Sequence, residues 1–310
     1  MRIHYIILLV GLLFCGKSAY SQPASNTPPE GTARKVLNIN SKADDYGPYI
    51  ARNGLAMYFS SNRFGKTHIY VAKRRSIDTA WGEPDYCKVS NSNQDFVNSI
   101  AFDDIGRFYF ASNRETRING DINIWEGFGL DSVPTIHALP SPVNTIKWES
   151  QPSVTREGND LYFSSNSQSP TGSMEMLTDL YVARRNAGGI WSTPQRLGPE
   201  INMGNSNGTP CISPDGRFLF FSSKEKKGID IKRKIYLSQR TGPKETDWSK
   251  AVLLPFPINS DKDDSYPMIA PNGKTIYFSS NRDGGSGMDI YEAELPLKIQ
   301  ALIAESFIRK

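Results

Sequence analysis

The chain is poor in the residue types that announce a chemistry. Three cysteines occur in 310 residues, Cys15, Cys87 and Cys211, and the last two stand far apart. Two isolated thiols are no disulfide framework and read as small buried hydrophobes. Histidine is equally scarce at three. His68 and His137 have no second histidine at ligand spacing, so a zinc-type site is not expected. No G-x-S-x-G, P-loop or strand-to-helix G-x-G-x-x-G is present, and neither cofactor nor metal is expected. The loop NRDGGSGMD lacks the spaced acidic ligands of a calcium loop. Excess charge of one sign is missing too. Without residues 1–21, 34 basic residues face 32 acidic ones, which gives no reason to expect nucleic acid or an acidic membrane surface.

Long hydrophobic runs are absent apart from Tyr5 to Phe14, which is too short to span a bilayer. The stretch MRIHYIILLVGLLFCGKSAYSQ reads as a secretory signal over residues 1–21. Arg2 supplies the charge, and Ala19-Tyr20-Ser21 fits small-x-small cleavage before Gln22. The mature chain is therefore expected to be periplasmic or secreted, with no integral membrane span. Cys15 allows a competing reading, lipoprotein processing, although Phe14 is bulky where a lipobox has Gly, Ala or Ser. Residues 22–33 read as a flexible Pro- and Ser-rich leader. Residues 296–310 begin with proline and then space Ile299, Leu302, Ile303 and Phe307 helically, which predicts a short helix.

What the sequence does have is aromatics, at 11%, and they recur. MYFSSNR, FYFASNR, LYFSSNS, LFFSSKE and IYFSSNR carry Phe59, Phe110, Phe163, Phe221 and Phe278, at steps of 51, 53, 58 and 57 residues. Each is preceded by a turn glycine (Gly54, Gly106, Gly158, Gly216, Gly273). Six residues before four of these stands a proline: Pro48, Pro152, Pro210 and Pro267. A third strand follows each, as in HIYVA, NIWEG and DIYEA. A less regular segment then comes, often led by tryptophan: Trp81, Trp191, Trp248. Four strands per unit at a fixed period predict an all-β fold, a five-bladed β-propeller of four-stranded antiparallel blades over 34–295. The fifth repeat ends after its third strand. RKVLNIN at Arg34–Asn40 resembles LLPFPIN before the fifth repeat, so it is expected to supply the missing outer strand and close the ring.

These motifs resemble the WD40-like β-propeller repeat family, with a TolB-like propeller domain. CISPDGRFLFFSS at Cys211–Ser223 and IAPNGKTIYFSSNRDG are the closest to its S-P-D-G and F-S-S pattern. The likeness stops at the propeller. It implies a non-catalytic, monomeric module that binds an envelope protein or a glycan.

Candidate site residues come from the loop entering each inner strand. Three before the proline are Asp45, Glu149, Asn207 and Asp264, with Phe96 in the second repeat. One earlier are Asp44, Asp95, Trp148 and Asp263. One reading is a carboxylate-rich channel mouth that binds a cation, a basic segment or a sugar, with Trp148 as a stacking platform. A glycosidase reading makes two of the acids an acid–base pair. The bland reading has each acid cap its own turn or tie neighbouring blades. Arg63, Arg114 and Arg282 likewise read either as an anion patch or as inter-blade hydrogen bonding.

Overall fold

Every repeat places its alternating apolar residues in one four-stranded antiparallel sheet. A computed structural model describes residues 31–89, 96–114, 122–130, 132–168, 177–204, 206–227, 230–284 and 287–307. The signal sequence, Cys15, nearly all of the leader and Asp95 lie outside the described residues.

Strand β1 is Ala33–Lys35. Blade one comprises β2 (Asp45–Ile50), β3 (Ala56–Ser61), β4 (His68–Lys73) and β5 (Asp85–Tyr86). Blade two comprises β6 (Val97–Phe102), β7 (Phe108–Ser112), β8 (Asn123–Phe128) and β9 (Thr135–Ala138). Blade three has β10 (Glu149–Val154), β11 (Asp160–Ser165), β12 (Asp179–Arg184) and β13 (Gln195–Arg196). Blade four has β14 (Asn207–Ile212), β15 (Phe218–Lys227), β16 (Asp230–Gln239) and β17 (Val252–Leu253). Blade five has β18 (Asp264–Ile269), β19 (Thr275–Ser280) and β20 (Asp289–Glu294). Its outer strand is β1, in the order β1-β20-β19-β18.

The ring therefore closes with the N-terminal segment, as its likeness to the later connections predicts. Ala33 pairs with Ala293 and Lys35 with Tyr291. Beyond β1, the Val36 N–H still donates to the Ile290 carbonyl at 2.9 Å. Leu139, Leu197 and Leu254 make the same bond in blades two, three and four. An asparagine then extends the ladder with its side chain. Asn40 accepts from the Ile290 N–H at 2.7 Å and donates to the carbonyls of Val36 and Ile290. Asn144, Asn202 and Asn259 make the equivalent bonds. An amide at this position satisfies backbone groups where the outer strands, two to four residues long, are too short to do so.

The core lies between blades and within them. In every blade the middle-strand phenylalanine stacks on the third-strand aromatic. The pairs are Phe59–Tyr70, Phe110–Trp125, Phe163–Tyr181, Phe221–Tyr236 and Phe278–Tyr291, with ring centroids 5.8–6.5 Å apart. Trp125, which does not lead a connecting segment as Trp81, Trp191 and Trp248 do, is thus the blade-two form of a repeating tyrosine. Trp191 meets Tyr109 of the preceding blade edge-on, and Trp248 meets Tyr162 likewise. The turn glycines all have φ between 65° and 80°, a region costly for residues with a Cβ. Helix α1, Leu297–Phe307, buries Ile303 and Ser306. It packs Ile299 and Phe307 against the core shared by blades four and five.

Candidate functional site

The conspicuous F-S-S-N-R motif is architecture. Its second serine accepts the arginine Nε–H in three blades, from Arg63, Arg114 and Arg282. Each guanidinium reaches on to backbone carbonyls of the connection leading into its blade: Ile39, Val89, and Pro257 with Ile258. Each also lies over the two stacked rings, 4.7–5.4 Å from their centroids. The motif's asparagine side chain accepts the N–H of Asp44, Phe96, Trp148 or Asp263, which pins the loop entering the inner strand.

The acids sit where their spacing places them, at the start of the inner strands, and there they meet their own loops. Asp45 is fully buried. One oxygen takes the Ser41 N–H and hydroxyl, and the other takes Arg63 at 2.7 Å. Asp264, equally buried, takes Ser260, Ser280 and Arg282 in the same way. Glu149 takes the Thr145 N–H and hydroxyl and Ser165. The Asn207 side-chain oxygen takes Ser223. Asp44 accepts the Met288 N–H at 2.8 Å, and Asp263 accepts the Arg233 N–H at 2.7 Å. Both bonds tie a blade to the third strand of the one before it. Trp148 stays part-exposed beside Glu149.

In blade two the slot assignment shifts by one. Val97, not Phe96, pairs with Ser112 as Asp45 pairs with Ser61. Ile100, six residues before Gly106, occupies the proline position there.

Every inner strand carries a bulge just after this point, where the register with the middle strand shifts. The bulged residue has positive φ in all five blades: Gly47 (63°), Ser99 (48°), Gln151 (58°), Thr209 (52°) and Tyr266 (51°). Four of these five are not glycine, and a β-branched or aromatic residue in this region is strained by about 1–3 kcal/mol. Bulges re-aim side chains. Here they turn the next residue, proline in four blades, to wall the axis.

Beyond the bulges the five inner strands enclose an axial cavity of about 340 Å³. Its wall holds Pro48, Pro152, Pro210 and Pro267 with Ile50, Ile100, Val154, Ile212, Met268 and Ile269. It opens at the face where the inner strands end, opposite the acids. Arg52, Arg156, Pro271 and the helix residue Phe307 lie along its edge. Arg52 and Arg156 both face Asp104. Spacing rules missed this cavity because they treat the repeating proline as a landmark. The recoverable signal was a proline in four of the five inner strands, followed two residues on by Ile50, Val154, Ile212 or Ile269.

The thiol and a phenol in the cavity wall are held neutral. Burial pushes the Cys211 thiol up to about 11 and the Tyr49 phenol up to about 12. Among the described residues, no Asp, Glu or His lines the cavity. It therefore offers neither an activated nucleophile nor a general acid–base pair. Nor do three His, Cys, Asp or Glu side chains gather anywhere among the described residues as a metal site would need.

Fold and cavity define a five-bladed β-propeller with an apolar axial pocket. No family model and no curated protein matches the chain. Among solved structures it is similar to a thermostable family-43 glycoside hydrolase, with a TM-score of 0.58 and 10% identity over 85% of this chain and 93% of that one. It is also similar to an endo-arabinase from Bacteroides thetaiotaomicron, at 0.53 and 16% over 85% and 97%. A putative TolB from Agrobacterium tumefaciens matches at 0.48 and 14% over 86% and 97%. At these identities the likeness to the first two establishes the propeller fold alone.

Proposed function

We propose that the protein is an exported, non-catalytic propeller that binds an apolar segment of an envelope protein in its axial cavity. The observation that carries this is the composition of the cavity wall, contributed by all five blades and apolar but for a few neutral polar groups. A pocket of this size suits one or two apolar side chains, with Arg52 and Arg156 at the mouth to orient a polar backbone or an acid. Filling the cavity tests it. Met268→Trp should abolish both the fluorescence enhancement of a small apolar dye and the capture of whatever envelope protein the wild type retains. Equal capture by both proteins would remove the proposal.

Carbohydrate chemistry is the second reading. It is favoured by glycoside hydrolases among the structural neighbours and by part-exposed Trp148 beside Glu149. Glycoside hydrolysis needs two accessible carboxyls about 5–10 Å apart across the bond to be cut. Asp45, Glu149 and Asp264 are instead buried and bonded by their own loops. Release of sugar from arabinan by the wild type, lost in Glu149→Gln at unchanged melting temperature, would reverse the ranking.

A further inference from the structure

A second group of side chains meets near the axis, at the face where the inner strands begin. Tyr46 comes from blade one, Gln151 from blade three, Arg233 from blade four and Tyr266 from blade five. The two tyrosine rings lie 5.2 Å apart, tilted at 50°. Gln151 Nε2 donates to the Tyr266 hydroxyl at 3.1 Å. Gln151 Oε1 accepts from Ser164 at 2.7 Å and from the Thr209 N–H at 3.0 Å. Two of the four, Gln151 and Tyr266, are the bulged residues of their inner strands, which aims their side chains toward the axis.

The inner-strand position beside Gln151 and Arg233 is Gly208. A Cβ on Gly208 would stand 3.0 Å from Gln151 Oε1 and 3.6 Å from an Arg233 Nη. The corresponding positions in the other blades hold Tyr46, Asn98, Ser150 and Ser265. Arg233 also breaks the repeat. The residue before the third strand's first regular position is Thr67, Ile122, Thr178 or Met288 elsewhere. A residue serving the repeat architecture would recur; this one does not.

Its guanidinium is short of partners. The one side-chain hydrogen bond it makes among the described residues is a long one, 3.5 Å to Ser222. No carboxylate among them comes within ion-pair distance. Asp263, the nearest acid in charge terms, bonds the Arg233 backbone N–H instead. Burial draws the Arg233 pKa below its ordinary value, with Tyr266 and Asp263 opposing. A desolvated cation without a counter-charge is costly, and an incoming anion offsets that cost.

We propose that Arg233, framed by Tyr46, Tyr266 and Gln151, is a binding site for a carboxylate carried on a ring, such as a uronic-acid sugar. One planar guanidinium matches a carboxylate with two parallel hydrogen bonds. A phosphate dianion would call for a second cation. The neighbouring Lys234 is committed to the carbonyls of Ser260 and Lys262 and to Asp264. The tyrosine faces and the Gln151 amide suit the ring and its hydroxyls. Gln151 and Tyr266 also line the axial cavity, so the site occupies the end of that cavity away from the edge held by Arg52 and Arg156.

Titration calorimetry of the full mature chain with glucuronate, acetate and inorganic phosphate tests it. Glucuronate should bind, acetate more weakly and phosphate weakest. Arg233→Gln should weaken glucuronate by about tenfold or more, the scale of a charge-assisted hydrogen bond. Arg233→Lys should keep only part of the affinity, since it keeps the charge and loses the fork. The proposal is overturned if the wild type takes up no glucuronate, if phosphate binds more tightly, or if Arg233→Gln binds equally well. Should Arg233→Gln misfold, undiminished affinity in Arg233→Lys would overturn the bidentate geometry.

Discussion

Asp264→Asn separates a structural acid from a functional one. The wild-type carboxylate is fully buried, with Arg282 at 2.7 Å on one oxygen and the Ser260 N–H at 2.7 Å on the other. Ser260 and Ser280 add hydroxyl bonds at 2.9 and 2.7 Å, and Lys234 approaches to 3.4 Å. An asparagine must turn its NH2 toward one of these sides. The serine hydroxyls can reverse, but the Ser260 N–H and the Arg282 guanidinium are donors only, so one buried donor is orphaned. Arg282 also loses its counter-charge while still held over Phe278 and Tyr291. Breaking a buried pair in this way costs about 3 kcal/mol, or roughly 6–10 °C of melting temperature in a domain of this size. Urea and thermal unfolding read both. Glu149→Gln should cost less, about 1–2 kcal/mol, because Ser167 stands in blade three where Arg63 and Arg282 stand in theirs. A loss below about 1 kcal/mol for Asp264→Asn, or equal losses in the two variants, would refute this account.

Three further outcomes are expected. Asn40→Ala removes the acceptor of the Ile290 N–H, so hydrogen exchange at Ile290 should quicken markedly, with a stability loss of about 2 kcal/mol; unchanged exchange would mean the seam does not depend on that side chain. Burial raises the Asp103 carboxyl pKa, so the folded state holds that proton more tightly than the unfolded chain does. Its contribution to stability therefore falls as pH rises from about 3.9 through the raised folded value, and Asp103→Asn should lose less stability across that window than the wild type. In a Cys87→Ser background, Cys211 should react with a thiol reagent at least about a hundredfold more slowly folded than unfolded at pH 8, with the rate climbing as pH approaches its pKa; fast native modification would contradict the buried, protonated thiol.

The repeat was legible because its residues act locally. Phe-Ser-Ser, the turn glycine and the third-strand aromatic each answer to pairing within one blade, so their spacing alone determined five four-stranded units. The fifth blade's missing strand was legible too, since Arg34–Asn40 keeps the asparagine of the other connections. Sequence alone also marked Asp45, Glu149 and Asp264 as repeating positions. The tertiary structure decided what they touch, because their partners lie four, sixteen and eighteen residues away. The axis was beyond the sequence altogether. The cavity wall draws on five strands some fifty residues apart, and Arg233 meets Gln151 and Tyr266 only because three blades converge. No local pattern marks such a meeting: the residues that make it depart from the repeat, and only closure of the ring brings them within reach of one another.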